Sequence, residues 1–455
     1  MPTPARQAAF DILLRVETRS SYASELLHSE LTEGLSLADL ALSTELALGT
    51  LRRQATLDFI AQQFLETSWN SLDPEVRVAL RMGIYQLRYL SRIPKHAAVN
   101  ETVELVKRAR KSSAAGLVNA VLRKAAAAEL DALRPRNMSE REWQSIEYSH
   151  PAWLLERWAR QYGEQAALEL ARTDNDAATT FLRLNPVSRS PDSHSMDEIV
   201  EALRQEGVET RPGRFLKSCR AVATGNVART EMYRRGEVLI QDEASQMVAH
   251  LLDVREGQRV LDLCAAPGNK TAQLAQWAGA SGRVVACDLH VHRLQQLLSQ
   301  GRRENVDRVA LNGQRTLPFS AAFDRILVDA PCSGTGTLRR NPEIKWRLSA
   351  GDIAELAEKQ LELLQSAATV LAAGGRIVYS TCSVESEENQ EVIERFLRSH
   401  SEFRLAPLRA EAGRLGKWFH PAATDLWQQD YLRTWPPRDE TDGFFAAVLE
   451  KVAGR

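Results

Sequence analysis

The sequence predicts a multidomain protein with an all-α N-terminal domain, a small α+β module and a C-terminal α/β domain built on a doubly wound parallel sheet. Three observations support this fold class. Apolar residues recur at helical spacing up to about residue 130, short strand-like runs follow, and buried-strand runs alternate with helical runs from about residue 236 onward. At 455 residues the chain is also too long for one ordinary core. We expect domains at 1–133, 140–235 and 236–455.

Composition limits the classes of protein that remain. The formal net charge is −1, so any nucleic-acid site must be a local patch. The nine histidines show no metal-ligand spacing, no apolar run is long enough to span a bilayer, and the N-terminus lacks the apolar core of a signal peptide. We therefore expect a cytoplasmic protein that needs no metal. The odd set of cysteines is typical of reduced thiols: Cys219, Cys264, Cys287, Cys332 and Cys382.

Local patterns place the elements of the first two domains. The N-terminal domain shows helical apolar spacing, for example at Val99, Val103 and Val106. The module combines two strand candidates, 179–184 and 221–223, with a helical run between them.

Short apolar runs in the C-terminal domain predict buried strands at 260–264, 284–288, 309–311, 326–329 and 376–380. The clearest helix between them has Ile353 and Leu371 on its apolar face, and we expect Gly374 and Gly375 to end it. Residues 444–449 predict a last strand. Strands that alternate with helices are typical of a doubly wound sheet, which binds ligands at the carboxyl ends of its strands.

A strand followed by a loop of small residues predicts a nucleotide site. Residues 261–263 lead into the small residues 265–268, and a helix starts near Lys270, so backbone N–H groups can approach a ligand closely. Asp288 ends the next strand, where an acid usually accepts hydrogen bonds from a ribose. The loop lacks the three-glycine dinucleotide pattern and the phosphate cradle, which favours S-adenosylmethionine over NAD or ATP. A purely structural turn is the alternative.

Two cysteines follow two further strands. Cys332 and Cys382 are expected at the carboxyl ends of successive strands, on the edge of the sheet where ligands bind. We expect Cys382 to precede a helix whose first turn holds Glu385, Glu387 and Glu388. A helix N-terminus favours the thiolate form of a cysteine, although these acids would partly oppose that effect.

Two thiols beside a nucleotide loop indicate covalent chemistry on a base. A thiolate that adds to carbon 6 of cytosine makes carbon 5 nucleophilic, and a second group must then handle the proton on carbon 5. Asp329 is placed to hold the ring, through ring nitrogen 3 or the exocyclic amine. Buried structural thiols are the alternative, and we adopt it for Cys264 and Cys287, which lie in strand patterns.

From about residue 140 to 455, these motifs resemble the RNA 5-methylcytosine methyltransferases of the Sun/Fmu (Nop2-like) group, a class I methyltransferase family with a Rossmann-like fold. The resemblance implies that Cys382 is the nucleophile, that Cys332 assists proton removal and product release, and that Asp329 contacts both cofactor and base. The loop and the resemblance together assign the cofactor contacts to Cys264, Ala265, Ala266, Pro267, Gly268, Asn269, Lys270, Asp288, Asn312 and Asp329.

The chain departs from that family pattern in two places. The loop has Asn269 where the family usually has a second glycine, and asparagine tolerates left-handed backbone angles. The acid that usually follows the third strand in this family is absent. We expect Asn312 to make the contact with adenine in its place.

The N-terminal domain resembles the NusB-type helical RNA-binding domain, through residues 94–101 and 116–123. This domain joined to the catalytic unit is found in the small-subunit rRNA members of the family, which implies that the partner is 16S rRNA. Two alternatives remain: a tRNA methyltransferase with the same chemistry, or a non-catalytic RNA-binding or antitermination factor.

Basic residues give two candidate surfaces for RNA. The favoured one directly follows the Cys332 motif and contains Arg339, Arg340, Lys345 and Arg347. The other, for which a solvated helix face is nearly as good an interpretation, contains Lys107, Arg108, Arg110, Lys111, Arg123 and Lys124. The target base must leave its stack to reach Cys382, which favours an unpaired nucleotide.

Overall fold

The computed structural model describes residues 2–19, 21–185, 194–297, 303–319, 323–427 and 430–452. The chain divides into two compact units. One, the helical unit, comprises Met1–Ala178 together with Thr337–Leu348. The other, the sheet unit, comprises Thr179–Gly336 and Ser349–Arg455. The predicted fold class is confirmed: a helical N-terminal region, a small α+β module and a doubly wound domain are all present.

Helices α1 to α10 and α16 belong to the helical unit, and the other helices belong to the sheet unit. In chain order the helices are α1 (Pro4–Arg19), α2 (Ala23–Leu26), α3 (Leu37–Arg52), α4 (Gln54–Gln62), α5 (Pro74–Tyr89), α6 (Lys95–Arg108), α7 (Ala115–Ala125), α8 (Glu140–Glu147), α9 (Ala152–Tyr162), α10 (Glu164–Thr173), α11 (Met196–Gln205), α12 (Glu231–Arg234), α13 (Glu243–Leu251), α14 (Asn269–Ala278), α15 (Val291–Gln296), α16 (Ile344–Arg347), α17 (Ala350–Thr369), α18 (Gln390–Ser399), α19 (Ala412–Leu415) and α20 (Pro436–Asp439).

Helix α5 is the centre of the helical unit. It starts with Pro74 at its first turn, where the missing N–H has no intrahelical partner to lose. Its apolar residues pack against α1, α3, α4, α6 and α7. Gly83 permits a close approach of α7, because a Cβ built there would lie 2.7 Å from Leu122 Cδ2.

The strands of the sheet unit are β1 (Phe181–Leu184), β2 (Glu209–Pro212), β3 (Cys219–Thr224), β4 (Val238–Ile240), β5 (Arg259–Asp262), β6 (Arg283–Asp288), β7 (Val306–Ala310), β8 (Phe323–Asp329), β9 (Leu371–Thr381), β10 (Phe403–Leu405), β11 (Leu432–Arg433) and β12 (Phe445–Lys451). Within the described residues, a small antiparallel sheet has the order β2-β3-β1-β4, and a larger sheet has the order β10-β12-β9-β8-β5-β6-β7, with β11 paired to β12.

The larger sheet has a parallel core. Strands β5 to β9 pair in parallel, and the antiparallel strands β10 to β12 extend the sheet beyond β9. The apolar runs predicted at 260–264, 284–288, 326–329 and 376–380 form the buried part of this core, because a central parallel strand is covered on both faces. The run predicted as a buried strand at 309–311 overlaps the end of β7, an edge strand in which no residue is buried, so burial was predicted wrongly there. The order reverses direction at β5, which is the place where ligands bind in open α/β sheets.

The predicted end of the long helix is wrong. Helix α17 ends at Thr369, and Leu371 already belongs to β9, where it pairs with Phe323. Gly374 and Gly375 therefore lie inside a strand rather than after a helix. The apolar run could not reveal this boundary, because Leu371 is buried in either conformation.

Candidate active site

The loops that follow β8 and β9 contain Cys332 and Cys382, and we refer to them as the cysteine loops. The two loops begin side by side. Strands β8 and β9 pair in parallel, with Asp329 opposite Ser380 in the register. The Ala330 N–H donates to the Ser380 carbonyl (2.8 Å) as the strands end. The Gly336 N–H donates to the Cys382 carbonyl (3.0 Å), which ties the end of the first loop to the second. The cysteines therefore follow the ends of successive strands, as we expected.

The two thiols lie next to each other. Cys332 Sγ and Cys382 Sγ are 3.3 Å apart, and either sulfur can donate the hydrogen bond between them. Both side chains are half-buried. The hydrogen bond with Cys382, followed by burial, raises the pKa of the Cys332 thiol well above its usual value. Cys332 therefore retains its proton to a higher pH than a free thiol does.

Cys382 does not lie at the N-terminus of an α-helix, so that expectation is wrong. A 3-10 turn, Ser386–Glu388, follows it, and α18 begins only at Gln390. The dipole of α18 therefore starts eight residues beyond the cysteine and is not aimed at its sulfur. Of the three acids expected in a first helical turn, Glu385 and Glu388 are fully buried.

Asp329 connects the cysteine loops to the nucleotide loop. Its Oδ2 forms an ion pair with Lys270 Nζ at 2.7 Å, and its Oδ1 accepts a hydrogen bond from Ser380 Oγ at 2.6 Å. The carboxylate side chain is 28% exposed, so it remains open to a ligand. Lys270, which we predicted to contact the cofactor, lies in this ion pair with Asp329, and its contact with the cofactor stays a prediction.

The small-residue loop joins β5 to α14. Gly268 has φ +108°, in the region that favours glycine, and it is the N-cap of α14. Asn269 is the first helical residue and has no positive φ, which explains why asparagine is tolerated there. The loop itself contains the predicted residues Cys264, Ala265, Ala266 and Pro267.

A buried acid under this loop was missed from the sequence. Asp262 ends β5, and its Oδ2 accepts a hydrogen bond from Thr271 Oγ1 at 2.7 Å. Burial raises the pKa of the Asp262 carboxyl to about 7, in spite of the Thr271 hydrogen bond. Its Oδ1 has no hydrogen-bond partner among the described residues. A charged residue inside the apolar run of β5 was the signal available in the sequence.

Asp288 and Asn312 lie on neighbouring strand ends. Asp288 ends β6, its Oδ1 accepts a hydrogen bond from the His290 N–H (3.0 Å), and the Leu311 N–H donates to its carbonyl (3.1 Å). Asn312 follows β7, and its Oδ1 accepts from the Gln314 N–H at 3.0 Å. These contacts bring Asn312 to the strand end that carries Asp288.

The remaining cysteines fit a structural role. Cys287 is fully buried in the core of the larger sheet, and burial raises the pKa of its thiol to about 12. Cys264 packs against the same core, and burial raises the pKa of its thiol well above the usual value. Thiols that stay protonated are poor nucleophiles.

The favoured RNA surface is not available as predicted. Lys345 is 0% exposed, and its Nζ donates to the Arg52 carbonyl at 3.0 Å within the helical unit. Arg339 is also buried and donates to the Ala177 carbonyl at 2.9 Å. A buried cation cannot reach a phosphate, so the assignment of Lys345 and Arg339 to RNA contact is wrong. These charged side chains instead donate hydrogen bonds to backbone carbonyl groups.

The other two basic residues of that segment have different surroundings. Arg347 is exposed, but its Nη2 donates to the carbonyls of Val16 (3.0 Å) and Ser21 (2.8 Å). Arg340 is half-buried. Only these two of the four predicted RNA contacts keep part of their side chain at the surface.

An arginine of the small sheet supports the nucleotide loop. Arg183 in β1 is buried, and its Nη1 donates to the Asn269 carbonyl (2.8 Å), Gln273 Oε1 (3.0 Å) and Gln241 Oε1 (2.8 Å). Burial lowers the pKa of its guanidinium to about 9. A charge between apolar residues of a strand was the one sign of this role in the sequence, but the partners of Arg183 are distant in the chain.

The residues around the loop fit S-adenosylmethionine. Three carboxylates, Asp262, Asp288 and Asp329, lie close enough that the last two help to raise the pKa of the first. Such an anionic group repels a polyphosphate, but it suits ribose hydroxyls and a cationic sulfonium. Together with two thiols at the adjacent strand ends, the site has the features of a methyltransferase that acts on a nucleic-acid base.

Comparisons with known proteins agree with this class. The family model "16S rRNA methyltransferase RsmB/F" matches residues 249–450, "NusB family" matches residues 3–127, and "Methyltr_RsmF/B-like, ferredoxin-like domain" matches residues 150–224. The chain is 34% identical to a probable ribosomal RNA small subunit methyltransferase B of Bacillus subtilis, over 99% of both chains. It is also 34% identical to ribosomal RNA small subunit methyltransferase B of Yersinia enterocolitica, over 92% of both chains.

Solved structures have the same fold. The crystal structure of PH0851 has a TM-score of 0.82 and 25% identity, over 99% of both chains. A methyltransferase homologue from Pyrococcus horikoshii has a TM-score of 0.57 and 27% identity, over 69% of this chain and 100% of its own.

The chain belongs to the 16S rRNA methyltransferase RsmB/F family. It is an S-adenosylmethionine-dependent rRNA methyltransferase, which confirms the predicted enzyme class, cofactor and RNA partner. The predicted NusB-type domain is confirmed as well. Across the part of the chain that the structure describes, no helix is both long and apolar enough to cross a membrane.

Proposed function

We propose that this protein methylates carbon 5 of one cytosine in 16S rRNA through a covalent Cys382–cytosine adduct, which Cys332 helps to resolve. The observation that carries the proposal is the 3.3 Å separation of the two sulfurs at the ends of adjacent parallel strands. Carbons 5 and 6 of cytosine are adjacent atoms, so a nucleophile for one and a proton-handling group for the other must lie within a few ångströms of each other.

The two thiols differ in a way that supports their separate roles. The raised pKa of Cys332 favours the arrangement in which Cys332 donates its S–H to the sulfur of Cys382. A donated hydrogen bond stabilises the thiolate of Cys382, the form that attacks carbon 6. At the end of the cycle, Cys332, once its own thiol proton has passed to solvent, takes the proton from carbon 5. The electron pair of that C–H bond re-forms the double bond between carbons 5 and 6, and the carbon–sulfur bond of Cys382 breaks. Cys382 is then a thiolate again.

Asp329 orients the ring. Both of its oxygens already act as acceptors, Oδ2 from Lys270 Nζ and Oδ1 from Ser380 Oγ. An ionised carboxylate accepts hydrogen bonds but does not donate them. Of the two contacts considered from the sequence, acceptance from the exocyclic amine of cytosine is therefore the better supported.

The cofactor contacts follow from the strand ends. Asp288 would accept hydrogen bonds from ribose hydroxyls, Asn312 would contact the adenine edge, and the small residues of the loop would give backbone access beside Gly268. S-adenosylmethionine, when bound, would supply an electrophilic methyl group on a sulfonium. Asp329, between the nucleotide loop and the cysteine loops, would contact both the cofactor and the base.

The choice of 16S rRNA rests on the family and on the NusB-type domain. We keep the domain division 1–133, 140–235 and 236–455 as part of the proposal. A cytoplasmic location suits the mechanism, because the two thiols must remain reduced. The base must be flipped to reach Cys382, and an unpaired base is flipped at lower cost.

The test uses unmodified 16S rRNA and tRNA, incubated separately with labelled S-adenosylmethionine, and maps the label by mass spectrometry. We expect one labelled 5-methylcytidine in 16S rRNA. Label in tRNA alone would overturn the rRNA assignment and keep the chemistry. Label on a different atom would overturn the chemistry.

Two variants test the roles of the thiols. Cys382→Ala should lose both methylation and any covalent RNA adduct. Cys332→Ala should accumulate an adduct that survives denaturing electrophoresis, because release is blocked after methyl transfer. The opposite pattern would exchange the roles of the two cysteines.

A further inference from the structure

A fully buried carboxylate holds the two cysteine loops together. Glu388 Oε1 accepts hydrogen bonds from the Ser333 N–H (2.8 Å) and Gln360 Nε2 (2.9 Å). Its Oε2 accepts from Ser333 Oγ (2.5 Å) and Ser383 Oγ (2.5 Å). Ser333 directly follows Cys332, and Ser383 directly follows Cys382. One side chain therefore bonds to the residue after each thiol.

A second set of bonds fixes the carboxylate itself. Gln360 Nε2 also donates to the Pro331 carbonyl (3.0 Å), directly before Cys332. Tyr379 Oη, in the strand that leads to Cys382, donates to the Glu388 carbonyl (2.5 Å) and to Gln360 Oε1 (3.1 Å). Glu388, Gln360 and Tyr379 are all 0% exposed. Movement of either loop would break hydrogen bonds between buried polar groups, and the free-energy cost of breaking them resists that movement.

The proposed chemistry requires the two thiols to be held at a fixed separation. The two thiols act on adjacent atoms of one ring, and a misplacement of about 1 Å can reduce a rate roughly 100-fold. Direct bonds already join the two loops, from the Gly336 N–H to the Cys382 carbonyl (3.0 Å) and between Ser333 Oγ and Ser383 Oγ (3.0 Å), and Glu388 adds bonds to the residue that directly follows each thiol.

We propose that Glu388 is the positioning residue of the two-thiol site: its carboxylate fixes the distance between Cys332 and Cys382 by accepting hydrogen bonds from the serine after each of them. The inference rests on the proposed function, in which both thiols act on one cytosine. Glu388 touches neither sulfur in this role and acts through Ser333 and Ser383. Its negative charge also helps to raise the pKa of Cys332, after the larger effects of the Cys382 hydrogen bond and burial.

The test compares Glu388→Gln with Glu391→Gln, the same change at an exposed residue in the first turn of α18. Glutamine removes the negative charge and one acceptor oxygen. Its amide NH2 either faces the Ser333 N–H and Gln360 Nε2, which cannot accept from it, or forces the hydroxyls of Ser333 and Ser383 to turn round and accept, and both arrangements weaken the bonds that hold the loops. The first measurement needs no RNA: the affinity for phenylarsine oxide, which bridges two close thiols. We expect affinity to fall at least roughly 10-fold in Glu388→Gln and to stay at the wild-type value in Glu391→Gln.

The second measurement is steady-state methylation of 16S rRNA. In Glu388→Gln we expect kcat to fall about 30- to 100-fold, while KM for S-adenosylmethionine stays within about threefold, because the cofactor loop is untouched. A general loss of folding would change both parameters and the thermal midpoint. Wild-type values of both arsenical affinity and kcat in a folded Glu388→Gln protein would overturn the proposal.

A milder variant covers the case in which Glu388→Gln does not fold. Ser383→Ala removes one donor to Oε2 and should weaken arsenical binding in the same direction by a smaller factor; unchanged affinity in a folded Ser383→Ala protein would overturn the proposal. The RNA-free readout also separates the two hypotheses. If the wild type fails to methylate cytosine but Glu388→Gln still binds phenylarsine oxide more weakly than the wild type does, the proposed function fails and the positioning role stands.

Discussion

At the scale of single residues, acids and thiols at the strand ends are strongly affected by burial. Asp262 is 1% exposed, and Cys332 has a partner 3.3 Å away, so both groups have raised pKa values. A raised pKa keeps the neutral form present at a pH where an exposed group would be charged. The site thereby combines a buried Asp262, whose carboxyl keeps its proton to a higher pH than an exposed carboxyl does, with a more exposed Asp329.

The Asp262 pKa predicts a pH dependence of stability. The folded pKa is about 7 and the usual value about 3.9, so the stabilising contribution is fully present below about pH 4 and is lost as the pH rises through 7. In Asp262→Asn the side chain does not ionise, so its contribution to the free energy of unfolding is not lost as the pH rises. The amide oxygen can still accept the Thr271 hydrogen bond. The thermal midpoint of the variant, relative to wild type, should rise by a few degrees between pH 5 and pH 8.5.

A matched control separates this effect from general pH sensitivity. Asp197→Asn makes the same change at an exposed residue of α11. Its midpoint should follow the wild type across the pH range. Parallel curves for Asp262→Asn and wild type would contradict the raised pKa.

At the scale of elements, the segment 337–348 is the one that most differs from expectation. It follows the Cys332 loop in the chain, yet it is part of the helical unit. Glu343 Oε1 accepts from the Ala23 N–H at the start of α2 (2.7 Å), and Trp346 Nε1 donates to the Leu51 carbonyl (3.2 Å). Its polar side chains thus satisfy backbone groups of α2 and α3 rather than facing solvent.

The buried amine of this segment predicts a second pH effect. Burial lowers the pKa of the Lys345 ammonium to about 7, below the usual value of about 10.4. The unfolded chain therefore binds more protons between these values, so the contribution of Lys345 is present above about pH 10 and is lost as the pH falls through 7. The thermal midpoint of wild type, relative to Lys345→Met, should rise by several degrees from pH 7 to pH 9.5.

The control for this prediction is Lys359→Met, at an exposed position of α17. The difference between this control and wild type should not change over the same pH range. A constant difference for Lys345→Met as well would show that the amine is charged in the folded protein.

At the scale of the whole molecule, the net charge of −1 provides no general attraction for RNA, so RNA binding depends on local basic surfaces. With Lys345 and Arg339 buried, the better candidate is the basic face of the helical unit at the end of α6 and on α7. Arg108, Arg110, Arg123 and Lys124 are exposed there. Lys107 and Lys111 have acidic partners, Glu104 and Asp73, at 2.6 and 2.9 Å. The surface that the sequence ranked second is therefore the more accessible one.

A charge-reversal variant tests this face. Arg108→Glu combined with Arg123→Glu should weaken binding of a 16S rRNA fragment by roughly 10-fold or more, because each lost phosphate contact removes counterion release. The slope of log K against log salt should decrease in magnitude by about 1 to 2. The measurement is fluorescence anisotropy at several salt concentrations.

The control has the same change in net charge elsewhere. Arg398→Glu with Lys417→Glu alters two exposed residues of the sheet unit. If this pair weakens binding as much as the first pair, the effect is bulk charge and the basic face has no special role.

The fold was largely predictable because its strongest signals are local. Apolar periodicity identified the helical region and the parallel strands, since burial on both faces demands continuous apolar runs. The end of α17 was not predictable, because an apolar residue such as Leu371 suits a buried helix and a buried strand equally. The short antiparallel strands β10 and β11 have too few residues to show a period.

The sequence by itself determined the enzyme class and indicated the chemistry that we propose: two cysteine motifs, a nucleotide loop and an acid at the end of β6 lie in contiguous stretches whose residue types suggest their roles. The tertiary structure alone decided which groups meet. It brought Lys270 to Asp329, Glu388 to both cysteine loops and Lys345 into the helical unit. The physical reason is that hydrogen bonding and burial depend on partners far apart in the chain, whereas motif and periodicity depend only on neighbours.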